Sequence, residues 1–174
     1  MTADDFKEFI MDEIKKIMVA VGFSEYAKGI FNYSENLAKN LGAELIVANI
    51  INSRDVEAVA TIKGMGYDLD PERYIHELKE DRQRIFQEMV KGSNFSMDAI
   101  KLILQVGNPT DELLKIIVKE KVDLVVMGVK GRTDLEHILI GSVAEKLFRR
   151  SPVTIVSYRD EKNRDRLRQH IHLT

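Results

Sequence analysis

Five short apolar runs, separated by longer segments with helical periodicity, constrain the fold of this chain more than any other feature. The runs occupy residues 17–21, 45–50, 100–105, 123–127 and 153–156. Short runs without regular polar alternation are typical of strands that are buried on both faces of a parallel sheet. Parallel neighbours require crossover connections, which the helical segments supply. The sequence therefore predicts an α/β fold, a three-layer sandwich with a five-stranded parallel sheet.

The segments between the runs carry helix start and stop signals. Ser24 is predicted to cap a helix that ends at Gly42, where a glycine suits the residue after a helix. Asn108 is predicted to cap the helix that follows the third run. Two further helices are predicted over residues 71–91 and 141–150.

Three segments lack so clear a pattern. Residues 52–71 are predicted to form an irregular excursion at the edge of the sheet. An amphipathic helix is expected within residues 1–14, and a charged tail, either mobile or an exposed helix, over residues 159–174. At this length we expect one domain, residues 1–174.

Composition excludes several classes of function. The 26 basic and 28 acidic residues give a net charge of -2, which provides no overall attraction to nucleic acid or to an anionic membrane. No apolar run reaches the ~18 residues of a membrane helix. The absence of cysteine excludes disulfides, thiolate zinc sites and cysteine nucleophiles. The N-terminus does not resemble a signal peptide, so we expect a cytoplasmic protein that binds neither nucleic acid nor membrane.

A glycine pattern follows the fourth run. Gly128 and Gly131 lie in the predicted loop, and Gly141 and Ser142 begin the next predicted helix. Glycine lets the backbone approach a ligand closely, and the free N–H groups of a helix start favour phosphate. Positive charge could come from the loop residues Lys130 and Arg132. The pattern predicts a phosphate site, and its alternative is a set of ordinary turn glycines with a helix start.

The surroundings of these glycines carry a family resemblance. They include Asp-Leu-Val-Val-Met-Gly at 123–128, Leu-Ile-Gly-Ser-Val-Ala-Glu at 139–145, Gly107-x-Pro109, and Ser-Pro-Val-x-Ile-Val at 151–156. With them, residues 14–158 resemble the nucleotide-binding branch of the universal stress protein family, whose motif is Gly-x2-Gly-x9-Gly-Ser/Thr.

This resemblance implies the sheet order 3-2-1-4-5 and an adenine-nucleotide-binding regulatory or stress-response protein. The nucleotide would be ATP, or else AMP or ADP. A homodimer would form through the last strand, at Val153, Thr154, Ile155 and Val156. The residues expected around the nucleotide are Ala20, Val21, Gly22, Ala48, Asn49, Met127, Gly128, Lys130, Gly131, Arg132, Gly141, Ser142 and Val143.

Gly22 departs from the family pattern, in which Asp usually follows the first strand and helps to hold the ribose or a metal. The missing carboxylate argues against Mg²⁺-assisted binding. Because no general base or Ser-His-Asp set is evident, we assign no catalytic residue and expect slow ATP hydrolysis at most. A nucleotide-independent dimeric interaction module is the alternative. A dedicated ATP-using enzyme of the related group would carry a Ser-Gly-Gly-type loop, which residues 21–24 do not provide.

Overall fold

A parallel sheet forms the centre of the computed structural model, which describes residues 14–93, 95, 99–129, 140–169 and 171. Its order is β3-β2-β1-β4-β5, and every neighbouring pair is parallel. The strands are β1 (Lys16–Ala20), β2 (Glu44–Asn52), β3 (Ile100–Gly107), β4 (Leu124–Gly128) and β5 (Thr154–Tyr158). The predicted fold class and sheet order are confirmed.

Successive side chains of the strands divide the core into two clusters. Ile17 and Val19 of β1 point to one face of the sheet, and Met18 points to the other. This alternation follows from the two-residue period of a strand. Both faces are apolar because helices cover both, which explains why the central strands read as continuous apolar runs.

Four helices form the outer layers of the sandwich. On one face lie α1 (Ala27–Leu41) and α3 (Pro71–Val90), which contribute Phe31 and Phe86 to the core. On the other face lie α4 (Pro109–Glu120) and α5 (Ser142–Arg150), which contribute Ile117 and Leu147.

The predicted irregular excursion at 52–71 is wrong over most of its length. It contains α2 (Ser53–Gly64), an α-helix whose N-cap side chain, Asn52, accepts the N–H of Arg54 at 3.1 Å. No residue of α2 is buried. A helix that buries no side chain needs no apolar stripe, so periodicity could not reveal it.

The chain ends fall partly outside the described residues. Within the predicted N-terminal helix, residues 1–13 are not described, and Ile14 and Lys15 lead into β1 without helical structure. The charged tail contains α6 (Glu161–Gln169), which was one of the two structures predicted for it. Asp160 begins that helix by accepting the N–H of Asn163 at 2.7 Å.

Candidate functional site

The candidate site lies at the carboxyl edge of the sheet, between β1 and β4. These two strands are neighbours, but the chain leaves β1 toward β2 and later returns to the other side to form β4. Connections therefore diverge at this point, and such switch points form crevices that bind ligands in parallel α/β sheets. The sheet order thus places the ends of β1 and β4 at the opening of one crevice.

The register brings three of the predicted residues into one row. Ala20 pairs with Ala48 on one side and with Met127 on the other. The side chains of Ala48 and Met127 are buried, and Ala20 is half-buried. Because these side chains belong to the core and the residues belong to the ladder, this row forms a packed floor beneath the crevice.

Beyond this row, the end of β4 is joined to the start of α5. The Gly141 N–H donates to the carbonyl of Val129 at 2.7 Å, and Val129 is buried. Ser142, the first residue of α5, is exposed, and Val143 is half-buried against the second core cluster. Gly128, Gly141, Ser142 and Val143 therefore lie at one junction, where the end of β4 meets the start of α5. The predicted residues Lys130, Gly131 and Arg132 lie outside the described residues.

The turn from β1 into α1 forms the other side of the crevice. The Val21 N–H donates to the Ala48 carbonyl at 3.0 Å, which extends the pairing with β2 by one residue, and Gly22 is exposed. The predicted Ser24 cap is wrong: the N-cap of α1 is Tyr26, which makes no side-chain cap hydrogen bond. Ser24 uses its carbonyl instead, accepting the Ala27 N–H at 2.9 Å, because its own backbone belongs to the preceding turn.

Helix starts differ sharply around the sheet. The helices after β2, β3 and β5 are capped by the side chains of Asn52, Asn108 and Asp160. The helices after β1 and β4 begin at Tyr26 and Gly141, neither of which provides a side-chain cap hydrogen bond. The first N–H groups of a helix have no partner within the helix, so they bond to a cap, to an anion or to water. At α1 the Ala27 N–H donates to the Ser24 carbonyl, and at α5 Gly141 has no side chain with which to cap the helix. Both of these starts flank the crevice.

Sequence reasoning missed the side-chain role of Asn49. This residue is 4% exposed, and its Nδ2 donates to the Val21 carbonyl at 2.7 Å. It is a polar residue within the otherwise apolar run of β2, which was the available signal, because buried polar groups require a specific partner. Ser157, in register with Met127, carries a buried Oγ that makes no hydrogen bond within the described part of the chain.

The opposite edge of the sheet carries a groove of a different kind. Its charged lining residues include two ion pairs, Lys16 with Glu44 at 3.5 Å and Lys101 with Glu120 at 2.6 Å. The hydrogen bond from Lys101 holds the pKa of Glu120 below its ordinary value. Since these charges satisfy one another and lie away from the switch point, this groove is the weaker candidate for a ligand site.

Two further features bear on the function. Among the described residues, no group of three or more His, Asp or Glu side chains is placed to hold a metal ion. None of the helices in this part of the chain has both the length and the apolar character needed to span a bilayer.

The profile of the universal stress protein family matches residues 13–159. The chain belongs to this family. Universal stress protein MJ0577 of Methanocaldococcus jannaschii is 30% identical over 152 residues, covering 82% of this chain and 94% of the relative. The solved structure of MJ0577 superimposes with a TM-score of 0.67 over 86% of this chain and 99% of that one, at 26% identity.

Two solved members of the family contain nucleotides. A universal stress protein in complex with cAMP has a TM-score of 0.57 at 23% identity and covers 85% of this chain and 99% of that chain. The universal stress protein of Archaeoglobus fulgidus in complex with dAMP also has a TM-score of 0.57, at 16% identity, and covers 85% of this chain and 100% of that one. At these identities the likeness establishes the shared fold.

Proposed function

We propose that this chain binds an adenine nucleotide, ATP in the first place, at the carboxyl edge between β1 and β4, and acts as a regulatory protein of the stress response. The observation that carries the proposal is the pair of helix starts at Tyr26 and Gly141, which lack side-chain caps although the other helices that follow strands have them. A helix start at a switch point whose N–H groups are not taken by a side-chain cap, as at Gly141, is suited to a phosphate-bearing ligand.

The two sides of the crevice suit different parts of the nucleotide. The row formed by Ala20 and Ala48, together with Val21, offers an apolar floor, and the exposed Gly22 offers its backbone, for the base and ribose. The β4–α5 side offers the open helix start for the phosphates. The phosphate-binding residues in this proposal are Met127, Gly128, Lys130, Gly131, Arg132, Gly141, Ser142 and Val143. The cAMP and dAMP complexes of the two relatives support an adenine nucleotide as the ligand.

Binding of the nucleotide is better supported than its hydrolysis. In the described part of the chain, the crevice offers glycines, apolar residues and backbone donors, and Gly22 provides no carboxylate beside β1. Efficient ATP hydrolysis requires a group that activates water, commonly with a metal ion that neutralises the phosphates. We therefore expect ATP hydrolysis to be slow or absent, so that the bound nucleotide regulates the protein and is not consumed by it.

Gly141→Val tests the phosphate side. The backbone of Gly141 is extended, with φ -67° and ψ 149°, which valine also adopts, so the fold should persist while two methyl groups occupy the helix start. Isothermal calorimetry should show ATP binding to the natural protein and none to the variant. Gly64→Val is the matched control, because Gly64 has open space around it at the end of α2. Unchanged ATP affinity in Gly141→Val would contradict the site assignment.

Native mass spectrometry of protein purified without added nucleotide addresses the ligand itself. Co-purified ATP, ADP or AMP would support the proposal. An empty site that also ignores millimolar ATP would favour a nucleotide-independent interaction module.

A homodimer through β5 belongs to the same proposal. β5 is an edge strand in which Ile155 and Val156 are only half-buried, and exposed apolar edges favour pairing with a second chain. Beside this edge, the rings of Tyr33 and Tyr158 are 5.5 Å apart and Tyr33 is exposed. Size-exclusion chromatography with light scattering should give the mass of a dimer, and a strict monomer would remove this part of the proposal.

A further inference from the structure

Asn49 holds the turn after β1 through a single side-chain hydrogen bond. Its Nδ2 donates to the Val21 carbonyl at 2.7 Å, from a side chain that is almost completely buried. The Val21 N–H donates to the Ala48 carbonyl at 3.0 Å. Both polar groups of Val21 are therefore bound by consecutive residues of β2, which fixes this residue against β2 beyond the last pair of the regular ladder.

Fixing the Val21 carbonyl also fixes the direction of the next N–H. In a trans peptide the carbonyl and the N–H point in opposite directions, and the described residues contain no cis peptide bond. Because the Val21 carbonyl points toward β2, the Gly22 N–H points away from it, to the side on which β4 lies. Within the described residues this N–H takes part in no hydrogen bond, and Gly22 is exposed.

The residue after Gly22 is held just as firmly. Phe23 has φ 47°, a left-handed conformation that is unfavourable for a residue with a side chain. Its ring packs against the first core cluster, and the guanidinium of Arg82, from α3, lies 5.6 Å from the ring centroid. Gly22 is thus enclosed between two fixed neighbours, so its N–H is oriented before any ligand arrives.

A contribution to the stability of the fold does not by itself explain why Asn49 is buried at this position. Its Oδ1 is buried and accepts no hydrogen bond within the described part of the chain. A buried acceptor without a partner is unfavourable, and leucine, which has the same branching and the same number of side-chain heavy atoms, would avoid it. The amide is better explained by the one thing that leucine could not do, which is to orient the Val21 carbonyl.

We infer that Asn49 is a positioning residue for the nucleoside end of the ligand: it directs the Gly22 N–H into the crevice, where this group donates to an acceptor atom of the nucleoside. The inference rests on the proposed function, because it requires a nucleotide at this edge. It separates the recognition of the nucleoside, set by β2 through Asn49, from the recognition of phosphate at the start of α5.

Asn49→Leu tests this separation by calorimetry with ATP and with inorganic triphosphate. The variant should bind ATP about tenfold more weakly, as expected for one lost hydrogen bond, and inorganic triphosphate as the natural protein does. Ser34→Ala is the matched control, since it also removes one buried hydrogen bond, from Ser34 Oγ to the Ile30 carbonyl at 2.8 Å, but within α1. It should leave ATP affinity unchanged. Asn49→His, which keeps an N–H donor, should recover most of the affinity.

An NMR titration of the natural protein makes the test independent of the folding of any variant. The Gly22 amide resonance should move on addition of ATP and stay in place with inorganic triphosphate. A Gly22 resonance that does not respond to ATP, or an Asn49→Leu variant that keeps full ATP affinity, would overturn the inference while the proposed function stands. A natural protein that binds neither compound would instead overturn the proposed function.

Discussion

The helices that follow β1 and β4 start differently from those that follow β2, β3 and β5. The latter are closed by Asn52, Asn108 and Asp160, whose side chains accept backbone N–H groups. The former begin without a side-chain cap hydrogen bond from the N-cap residue. A cap typically contributes about 1 kcal/mol to stability, but it uses donors that an anion would need. The starts beside β1 and β4 lack this side-chain contribution, although the Ser24 carbonyl accepts the first N–H of α1, and they flank the crevice that the sheet order creates.

The two starts without a side-chain cap differ from each other as well. The turn before α1 is held by side chains from other elements, since Asn49 binds the Val21 carbonyl and Arg82 lies over the ring of Phe23. The start of α5 is joined to β4 by a backbone hydrogen bond, from Gly141 to Val129. A rigid turn suits the fixed shape of a nucleoside. A start without a side chain suits phosphate, which is recognised by closely approaching N–H groups.

Closing the start of α5 should have the largest effect. In Gly141→Asp the new carboxylate can cap the helix, as Asp70 and Asp160 cap theirs. It also places a negative charge where phosphate would bind, so ATP affinity should fall by roughly a hundredfold or more. Thermal stability should stay the same or rise slightly, because aspartate is a better N-cap than glycine.

Calorimetry and thermal denaturation of the same preparation check both halves of this prediction. Gly64→Asp controls for the added charge at an open position on α2, and it should bind ATP normally. Equal affinity in Gly141→Asp and Gly64→Asp would mean that an open start of α5 is irrelevant to the ligand, and the contrast between the helix starts would lose its functional meaning.

The converse change, at a capped start, should affect stability alone. Asn108 accepts the N–H groups of Thr110 at 3.1 Å and Asp111 at 3.3 Å, so Asn108→Ala should lower the free energy of unfolding by about 1 kcal/mol. Because α4 follows β3, away from the switch point, ATP affinity should not change. Urea denaturation and calorimetry measure the two quantities. A parallel loss of ATP affinity would show that the capped and open starts are not functionally distinct.

The sequence predicted this architecture well because the central strands are buried on both faces, which makes their apolar runs conspicuous. The stop at Gly42 was predictable too, since the residue has φ 66° and donates its N–H to the end of α1. The prediction of a cap at Ser24 was wrong for a physical reason. A serine after a strand is an equally good turn residue, and only the backbone decides whether the helix begins there or at Tyr26. The helix α2 was missed because none of its residues is buried, so it carries no clear apolar stripe.

The site was predictable only in part. Spacing and context single out Gly128, Gly141 and Ser142 as the predicted phosphate site, because an anion site built from backbone groups needs glycine at specific positions. The link between Asn49 and Val21 was not accessible in the same way. It joins residues 28 positions apart and depends on the register of β1 against β2, which a pattern of apolar residues does not specify to the single hydrogen bond.

The smallest predicted effect concerns the chemistry of the caps themselves. Asp70 caps α3 by accepting the Arg73 N–H at 3.1 Å, and Lys63 lies 3.2 Å from its other oxygen. The backbone hydrogen bond, and then Lys63, hold the pKa of Asp70 below its ordinary value of 3.8. A lowered carboxyl pKa stabilises the fold above the ordinary value, and this contribution is lost as the pH falls through the lowered pKa. Asn52 and Asn108 cap without titrating.

Asp70→Asn should therefore keep the cap and remove part of the acid sensitivity. We expect the melting temperatures of the natural protein and the variant to differ by a constant amount near neutral pH. As the pH falls below the ordinary carboxyl pKa of 3.8 and through the lowered pKa of Asp70, the melting temperature of the natural protein should fall more than that of the variant. The reciprocal variant, Asn52→Asp, should introduce a similar acid-dependent loss at α2. If the curves of melting temperature against pH for Asp70→Asn and the natural protein were parallel down to low pH, the prediction would be contradicted. The ionisation of Asp70 would then contribute nothing to the stability of the fold.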